Sequence, residues 1–390
     1  MLTKSAGNEG AVLVLVAICM SLFFILLAIA VDIGFMHATK AELQHAADSA
    51  ALAGASDLAE ATPNPVGRAQ EYAAYNQAAK VALTNLPNED VTVGWMEHPF
   101  DIHEEIQTGT GHEPNSVEVT TRRAAGINGP LQLFLGAFTG LDEVNISTKG
   151  RAVWTRQISG FAPDAPSGGS GGLPNIIPFS VSTEEWDKIN GPVDNTYVFD
   201  QYTFDLNHTP PVFSGADDLH EIKMYPRDKK NSVPGNYGTV DIGDTNNAVP
   251  DIRRQILFGI SAEDLAYLGG SFDLTDNTEL DGFTPCECYW LEADTGISAD
   301  FKDQLEAILG IPKTILVHNQ LIGQDNNAKY RIVRFEKIVI VEVKMTGNPK
   351  YVRIQKVDKA NADGGQGEGT PIFNPDVPPS DTLYMTGLTR

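Results

Sequence analysis

The first sixty residues carry one continuous helical pattern whose front half is apolar throughout. Residues 11–31 read AVLVLVAICMSLFFILLAIAV and contain no charged side chain. A helix rises about 1.5 Å per residue, so this run spans a hydrocarbon core of about 30 Å. We therefore predict a transmembrane helix at residues 11–31, preceded by a short cytoplasmic N-terminus at residues 1–10.

A cleaved secretory signal is the alternative interpretation of the same run. Lys4 precedes it, and Ala28-Ile29-Ala30 has the A-x-A form of a cleavage site. The run is longer than the usual apolar stretch of a signal, and the helical pattern continues past that site, which favours an anchor. No Lys or Arg follows before Lys40. The positive-inside rule then predicts an N-in, C-out orientation with the bulk of the chain outside the cytoplasm.

The helical pattern continues after the apolar run and stops before Pro63. Small residues recur there every four positions, and they form two neighbouring lines: Ala47, Ala51, Ala55 and Ala59, then Ala46, Ala50 and Gly54. Such lines let backbones approach closely. Two interpretations stay open. The small residues contact sister helices, or the chain's own sheet covers them.

The pattern then changes to a mixture of short elements. We predict a second helix at residues 66–86, strands at 91–96 and 116–123, a short apolar helix at 129–140 and a long strand at 143–156. Residues 32–156 are thus expected to form one unit that combines the extended helix with a small sheet.

A Pro/Gly/Ser-rich segment at residues 157–173 predicts a linker. An outer domain of mixed α+β, β-rich character follows at 174–358, with strands near 196–204, 219–225, 237–242, 313–318, 329–345 and 350–357, and helices near 249–258 and 299–309. The last two strands are expected to form a hairpin across residues 346–349. Residues 359–390 are rich in Gly, Pro and Asp, which predicts a disordered tail. The fold class is α+β.

The charge balance argues against one class of partner. The chain has 28 Lys and Arg against 51 Asp and Glu, a formal charge of −23. Phosphate backbones are bound by clustered Lys and Arg, so we expect no nucleic-acid partner. Of the three cysteines, Cys19 lies in the apolar run, whereas Cys286 and Cys288 form C-E-C. The last two are candidates for a disulfide, with two thiols or bonds to another chain as alternatives.

Three patterns with chemical potential lack the context that their chemistry needs. Residues 168–172 match G-x-S-x-G but lie in the predicted linker, whereas a nucleophile elbow needs a strand before it and a helix after it. Residues 277–282 resemble half of a calcium loop, but Cys288 stands where Glu should be. The third pattern is a trio of histidines whose spacing fits no zinc signature: His98, His103 and His112. We therefore predict no catalytic residue, metal or cofactor.

Two motifs on the long helix resemble a known module. Residues 30–34 read AVDIG and residues 44–55 read QHAADSAALAGA. Both resemble the N-terminal module of the TadE/TadG-like proteins of the Tad (Flp) pilus-assembly system, over residues 8–60. The family's pattern is an apolar helix, A-V-D-x-G, and a spacer ending in Q-x-A-A-D-A-A-A-L-A-G-A. Its positions here are Asp32, Gly34, Ala47, Asp48, Ala51, Leu52 and Ala55.

The resemblance implies a non-enzymatic, single-pass protein of a bacterial inner membrane that is pilin-like in build. Its implied role is pilus assembly or surface attachment. The implied partners are the lipid bilayer and other Tad/Flp proteins, with homo-oligomer formation through the N-terminal helix.

The chain departs from the family's pattern in two places. TadG-type proteins often carry a von Willebrand A domain, but the D-x-S-x-S metal motif is missing from residues 174–390. Prepilin processing at Gly7 or Gly10 would place Val12 or Leu15 where Glu is expected. A membrane-tethered hydrolase with its site in residues 174–358, or a calcium-stabilised surface binder, therefore stays as an alternative function.

Overall fold

A computed structural model describes residues 9–60, 62–136, 140–162, 175–203, 215–224, 235–243, 248–275, 289–323, 327–347, 349–357, 360–361, 370–373 and 377–389. The chain divides into two compact units. Unit 1 consists of Met1–Trp154 with Thr386–Arg390, and unit 2 consists of Thr155–Met385. The fold is α+β, as the sequence predicts.

Unit 1 is built on one long helix, α1, at Glu9–Asp57. The apolar run and the alanine-rich stretch are therefore parts of the same element, as their unbroken pattern predicts. The large apolar side chains from Val12 to Val31 are exposed, whereas the alanines from Ala46 to Ala55 are buried. The first half thus presents apolar surface on all sides, and the second half buries one side.

Helix α2 spans Pro65–Ala74. The Asn64 side chain caps it by accepting a hydrogen bond from the Gly67 amide at 3.2 Å. The prediction of a helix to residue 86 is wrong beyond Ala74. The chain turns instead into a hairpin of β1 (Gln77–Ala78) and β2 (Val81–Ala82). Two residues with positive φ, Ala79 and Lys80, form its turn, and a helical pattern does not reveal this conformation.

An antiparallel sheet completes unit 1. Its strands include β3 (Val91–Gly94), which follows a short 3-10 turn at Asn88–Asp90, β4 (Ser116–Arg123) and β7 (Ile146–Thr155). Helix α1 packs on this sheet through a core of small and β-branched residues: Ala50, Ala51, Ala55, Ala69, Ala73, Val91, Val117, Val119 and Ala152.

The apolar segment predicted as a helix at residues 129–140 begins as a strand instead. Strands β5 (Leu131–Gln132) and β6 (Glu143–Val144) pair in an antiparallel ladder. The Arg123 guanidinium accounts for the difference. It donates to the carbonyls of Gly129 at 2.8 Å and Pro130 at 3.0 Å, so these acceptors are engaged by a side chain. We call the described residues between the two strands, 133–136 and 140–142, the hairpin tip.

Unit 2 contains an eight-stranded sheet in the order β10-β11-β17-β16-β14-β12-β9-β15. Strand β15 (Pro312–Ile322) also pairs with β16 (Ala328–Lys344). This pairing closes five strands into a barrel, in the order β16-β14-β12-β9-β15. The other strands are β9 (Ile176–Ser182), β10 (Val198–Phe199), β11 (Glu221–Met224), β12 (Tyr237–Val240), β14 (Tyr289–Thr295) and β17 (Tyr351–Lys356). The β9–β15 pair is parallel.

Four short helices accompany this sheet: α3 (Thr183–Ile189), α4 (Val249–Phe258), α5 (Ala262–Tyr267) and α6 (Lys302–Ala307), the last preceded by a 3-10 turn at Ala299–Phe301. They cover the apolar core that contains Phe179, Trp186, Ile256, Leu305 and Ile338. The predicted helix at residues 249–258 is confirmed, and so is the hairpin of the last two predicted strands, which is β16–β17. Strands β9 and β14 and helices α3 and α5 were not predicted.

The predicted linker and disordered tail need correction. The linker's first residues form β8 (Ile158–Ala162), which pairs with β13 (Phe272–Asp273) and β19 (Thr370–Phe373). The tail contributes β19, β18 (Ala360–Asn361) and β20 (Leu383–Leu388). The remainder of the linker lies outside the described residues.

A buried carboxylate shows why part of the tail is ordered. Glu336 on β16 accepts hydrogen bonds from the Ser380 hydroxyl at 2.9 Å and the Asp381 amide at 3.0 Å. The Thr382 hydroxyl donates to it at 2.7 Å. Residues 380–382 are thus held by a partner more than forty positions earlier in the chain, which local composition does not reveal.

Candidate functional site

Asp32 lies on α1 immediately after the apolar run, and its side chain is only 4 % exposed. Its carboxylate accepts a hydrogen bond from the Phe134 amide at 2.9 Å. The Leu135 amide donates to both of its oxygens, at 3.3 Å and 3.2 Å. Two consecutive backbone N–H groups of the hairpin tip thus donate hydrogen bonds to the Asp32 carboxylate within unit 1. These contacts account for the burial of a charge beside an apolar run.

An aromatic contact supports the same junction. The rings of Phe35 and Phe134 lie 4.6 Å apart between centroids in a tilted arrangement. Phe35 follows Asp32 by one helical turn, so the two residues hold the tip against one side of α1. In the structure the acid binds the chain's own backbone.

The alanine block faces the sheet of unit 1. Ala47, Ala51 and Ala55 have no exposed surface. Strand β7 comes so near to the helix that a Cβ added at Gly150 would lie 2.5 Å from the carbonyl carbon of Ala47. It would lie 2.6 Å from the amide nitrogen of Asp48. This contact between two backbones needs small side chains on the helix and glycine on the strand.

Hydrogen bonds fix the same packing. The Gln44 side-chain amide donates to the Asp48 carboxylate at 2.8 Å and to the Lys149 carbonyl at 2.8 Å. The Thr121 hydroxyl on β4 donates to the Leu43 carbonyl of α1 at 2.8 Å. Asp48 therefore orients a glutamine that binds the strand beside Gly150, and its role in the described contacts is structural.

The other two motif residues point away from the sheet. Leu52 is 36 % exposed, and a Cβ added at Gly34 would meet nothing within 4 Å. The helical repeat puts them on one side of α1 with further exposed positions. We call this set the outer face: Gly34, Ala38, Ala41, His45 and Leu52. The motif thus divides into residues that hold unit 1 together and residues that remain accessible.

Residues 10–57 match the family model described as Flp pilus-assembly TadE/G-like. The matched range coincides with α1, which spans Glu9–Asp57. The N-terminal helix is similar to the TadE/G-like pilus-assembly module. No curated protein and no solved structure matches the chain. The match covers a small part of the 390 residues and does not extend into unit 2.

The TadE/G-like helix also has the composition of a membrane anchor. It contains a window with a mean hydropathy of 3.2, of which only 6 % is buried within the chain. Together with the family match, this supports a single-pass, membrane-anchored protein with a pilus-related role.

Unit 2 contains a Ser–His pair that the sequence analysis missed. The Ser180 hydroxyl lies 2.7 Å from His318 Nδ1, and His318 Nε2 lies 3.0 Å from the Gly235 carbonyl oxygen. The His318 ring stacks on Tyr330 at 4.0 Å. Nε2 therefore donates to the carbonyl, and Nδ1 accepts from the hydroxyl. The sequence feature that could have indicated this pair is a histidine at the end of the apolar strand pattern of residues 314–318.

Ser180 and His318 provide the atoms of a nucleophile and a base, but they lack the accessible position that a catalytic pair needs. Ser180 and His318 are both buried among the barrel strands. Burial lowers the pKa of His318 to about 4, although its hydrogen bond to Gly235 opposes the shift. A neutral imidazole without contact to solvent acts here as a hydrogen-bonded part of the core.

A cavity of about 490 Å³ lies beside α4 and α5 and is lined by Asp241, Asp251, Glu263, Asp264, Arg254 and Tyr267, among others. Arg254 donates to both oxygens of Asp264, at 2.7 Å and 2.9 Å. Burial alone would raise the pKa of Asp264, but the hydrogen bonds from Arg254 and Ser261 lower it below its usual value. This acid is engaged in an ion pair and in the capping box of α5.

The three histidines considered in the sequence analysis, His98, His103 and His112, are not arranged around a common metal site. The His112 ring stacks on Trp95 at 4.0 Å, and the Glu104 carboxylate accepts from the amides of Glu97 and His98. Within the part of the chain that the structure describes, no group of three or more His, Cys, Asp or Glu side chains is arranged to hold a metal ion. The disulfide candidates Cys286 and Cys288 lie outside the described residues, as do residues 168–172 and 277–282.

Gly150→Ala is expected to lower the free energy of unfolding by about 1–3 kcal/mol, because the new methyl group meets backbone atoms of α1. Thermal unfolding of the full chain in detergent, followed by circular dichroism, measures this. The matched control is Gly34→Ala, which places the same methyl group in open space on the helix and should leave the melting temperature equal or slightly higher. An unchanged melting temperature for Gly150→Ala contradicts the close contact.

The free energy of unfolding should fall on acidification from pH 6.5 towards pH 4. The folded pKa of His318 is about 4, below the unfolded value of about 6.5, so the unfolded chain binds more protons in this window. The loss from this group is about 2 kcal/mol at pH 5. Denaturant unfolding at pH 7.5 and pH 5 should show a smaller pH difference in His318→Gln. Exposed His103→Gln is the control, and equal pH differences in wild type and His318→Gln contradict the assignment.

Proposed function

We propose that the chain is a non-enzymatic, single-pass component of Tad/Flp-type pilus assembly or surface attachment. The observation that carries this proposal is the match of residues 10–57 to the TadE/G-like family. On this proposal the TadE/G-like helix contacts other pilus proteins or a second copy of the chain, and the part of unit 1 after the apolar run is presented outside the cytoplasm together with unit 2. The N-in, C-out orientation is supported by Lys4 before the apolar run and by the absence of Lys and Arg between it and Lys40.

The burial pattern indicates which side of α1 is accessible to a partner helix. Ala47, Ala51 and Ala55 are covered by the chain's own sheet, so a partner helix has no access to them in the folded unit. The outer face continues into the membrane run, where Phe23 and Leu27 lie on the same side. We propose that partner helices contact this face, where Gly34, Ala38 and Ala41 allow close approach.

The non-enzymatic part of the proposal is supported by the local chemistry of unit 2. The Ser180–His318 pair is buried, and Asp264 is paired with Arg254. Both arrangements have structural partners for their polar atoms. The hydrolase alternative therefore gains no support from them.

A photo-crosslinking residue at Ala41, on the outer face, tests the proposal in cells that assemble the pilus. The expected result is adducts with a second copy of the chain or with another TadE/G-like protein, because the position is exposed on the side of α1 away from the sheet of unit 1. Mass spectrometry identifies the adducts.

The matched control carries the same probe at Tyr75, which is also exposed but lies at the end of α2. This probe should give no such adduct. The proposal fails if Ala41 gives no adduct with a pilus protein, or if both positions give the same set.

A further inference from the structure

The hairpin tip carries large apolar side chains that are more than half exposed. Phe134 is 68 % exposed and Leu141 is 52 % exposed. Both belong to the element whose amides bind Asp32 at the end of the apolar run. Exposed large apolar side chains beside a membrane helix mark a surface suited to contact with lipid.

The depth of the tip follows from its contacts with α1. Leu135 lines a cavity of about 510 Å³ together with Ser21, Phe24, Ile25, Leu27 and Ala28, all of which belong to the apolar run. Ala28 is 3 % exposed, whereas its neighbours Leu27 and Ile29 are 47 % and 38 % exposed. Ala28 precedes Asp32 by four residues, or about 6 Å along the helix. Leu135 therefore lies level with the outer end of the membrane-spanning segment.

The backbone of the tip is suited to this position. In a lipid environment every backbone polar group needs a partner from the protein. The amides of Phe134 and Leu135 donate to Asp32, the Leu133 amide donates to the Asp142 carbonyl at 3.0 Å, and the Leu141 amide donates to the Gly136 carbonyl at 3.1 Å. Asp32 thereby supplies the acceptors that a bare loop at this depth would lack.

We propose that the hairpin tip is a second membrane-contacting element, which inserts Phe134, Leu135 and Leu141 among the acyl chains of the outer leaflet beside α1. The occupant of the groove between Leu135 and Ala28 is a lipid acyl chain, because the groove opens on the membrane-spanning segment and its lining is mostly apolar. The exposed Gln132 and Asp142 at the base of the tip mark its water side. This inference depends on membrane anchoring by α1 and not on pilus assembly.

Tryptophan quenching by brominated lipids tests the proposal on the full chain in phosphatidylcholine–phosphatidylglycerol vesicles at a low protein-to-lipid ratio. The signal is the increase in quenching over wild type, which contains four native tryptophans. In Phe134→Trp and Leu141→Trp we expect strong quenching by bromines near the headgroup end of the chain and weaker quenching by bromines near its terminus. Two tip variants are used because Phe134→Trp alters the contact with Phe35.

Two control variants distinguish failure of α1 to insert into the membrane from failure of the hairpin tip to contact lipid. Phe23→Trp lies near the middle of the apolar run and reports insertion of the helix itself. Tyr75→Trp follows the last residue of α2 and precedes Ala79, whose amide donates to Glu42 about 15 Å along α1 from Asp32. It should show no added quenching. Quenching at Phe23→Trp without quenching at either tip variant overturns the proposal and leaves the anchor intact. Quenching at the tip that falls as the protein-to-lipid ratio rises also overturns it, because a second copy would then cover the tip.

Discussion

The structure depends on a close contact between two backbones, those of α1 and β7. An added methyl group at Gly150 would lie 2.5 Å from the carbonyl carbon of Ala47. Only small residues on the helix and glycine on the strand permit this distance. The same helix is apolar on all sides over its first half. One rigid element therefore connects a membrane-anchored segment to a unit whose sheet is packed against its continuation.

This contact gives the family motif a physical interpretation. The alanine block and Asp48 hold the helix to the sheet, and Asp32 holds the hairpin tip to the end of the apolar run. Gly34 and Leu52 are left on the outer face. The part of the motif that contacts the sheet thus maintains the fold of unit 1. The side of α1 that remains accessible to partners is the outer face.

Local patterns predicted the elements that depend on local physics. Helix α1, helix α4 and the β16–β17 hairpin follow from apolar periodicity and a turn at Gly347. The β1–β2 hairpin was missed because it depends on positive φ at Ala79 and Lys80 and on the distant Glu42, whose carboxylate accepts from the Ala79 amide. The ordered tail depends likewise on Glu336. The role of Asp32 was not predictable because its partners are 102 and 103 residues away.

Hydrogen exchange at the hairpin tip tests the central claim, that Asp32 is an internal acceptor that fixes the tip to α1. In the full chain reconstituted in nanodiscs, a peptide covering residues 133–136 should exchange slowly. In Asp32→Ala its exchange should be at least about ten times faster, because two amides lose their acceptor, and a tenfold change corresponds to about 1.4 kcal/mol. Equal exchange in wild type and Asp32→Ala would contradict the claim.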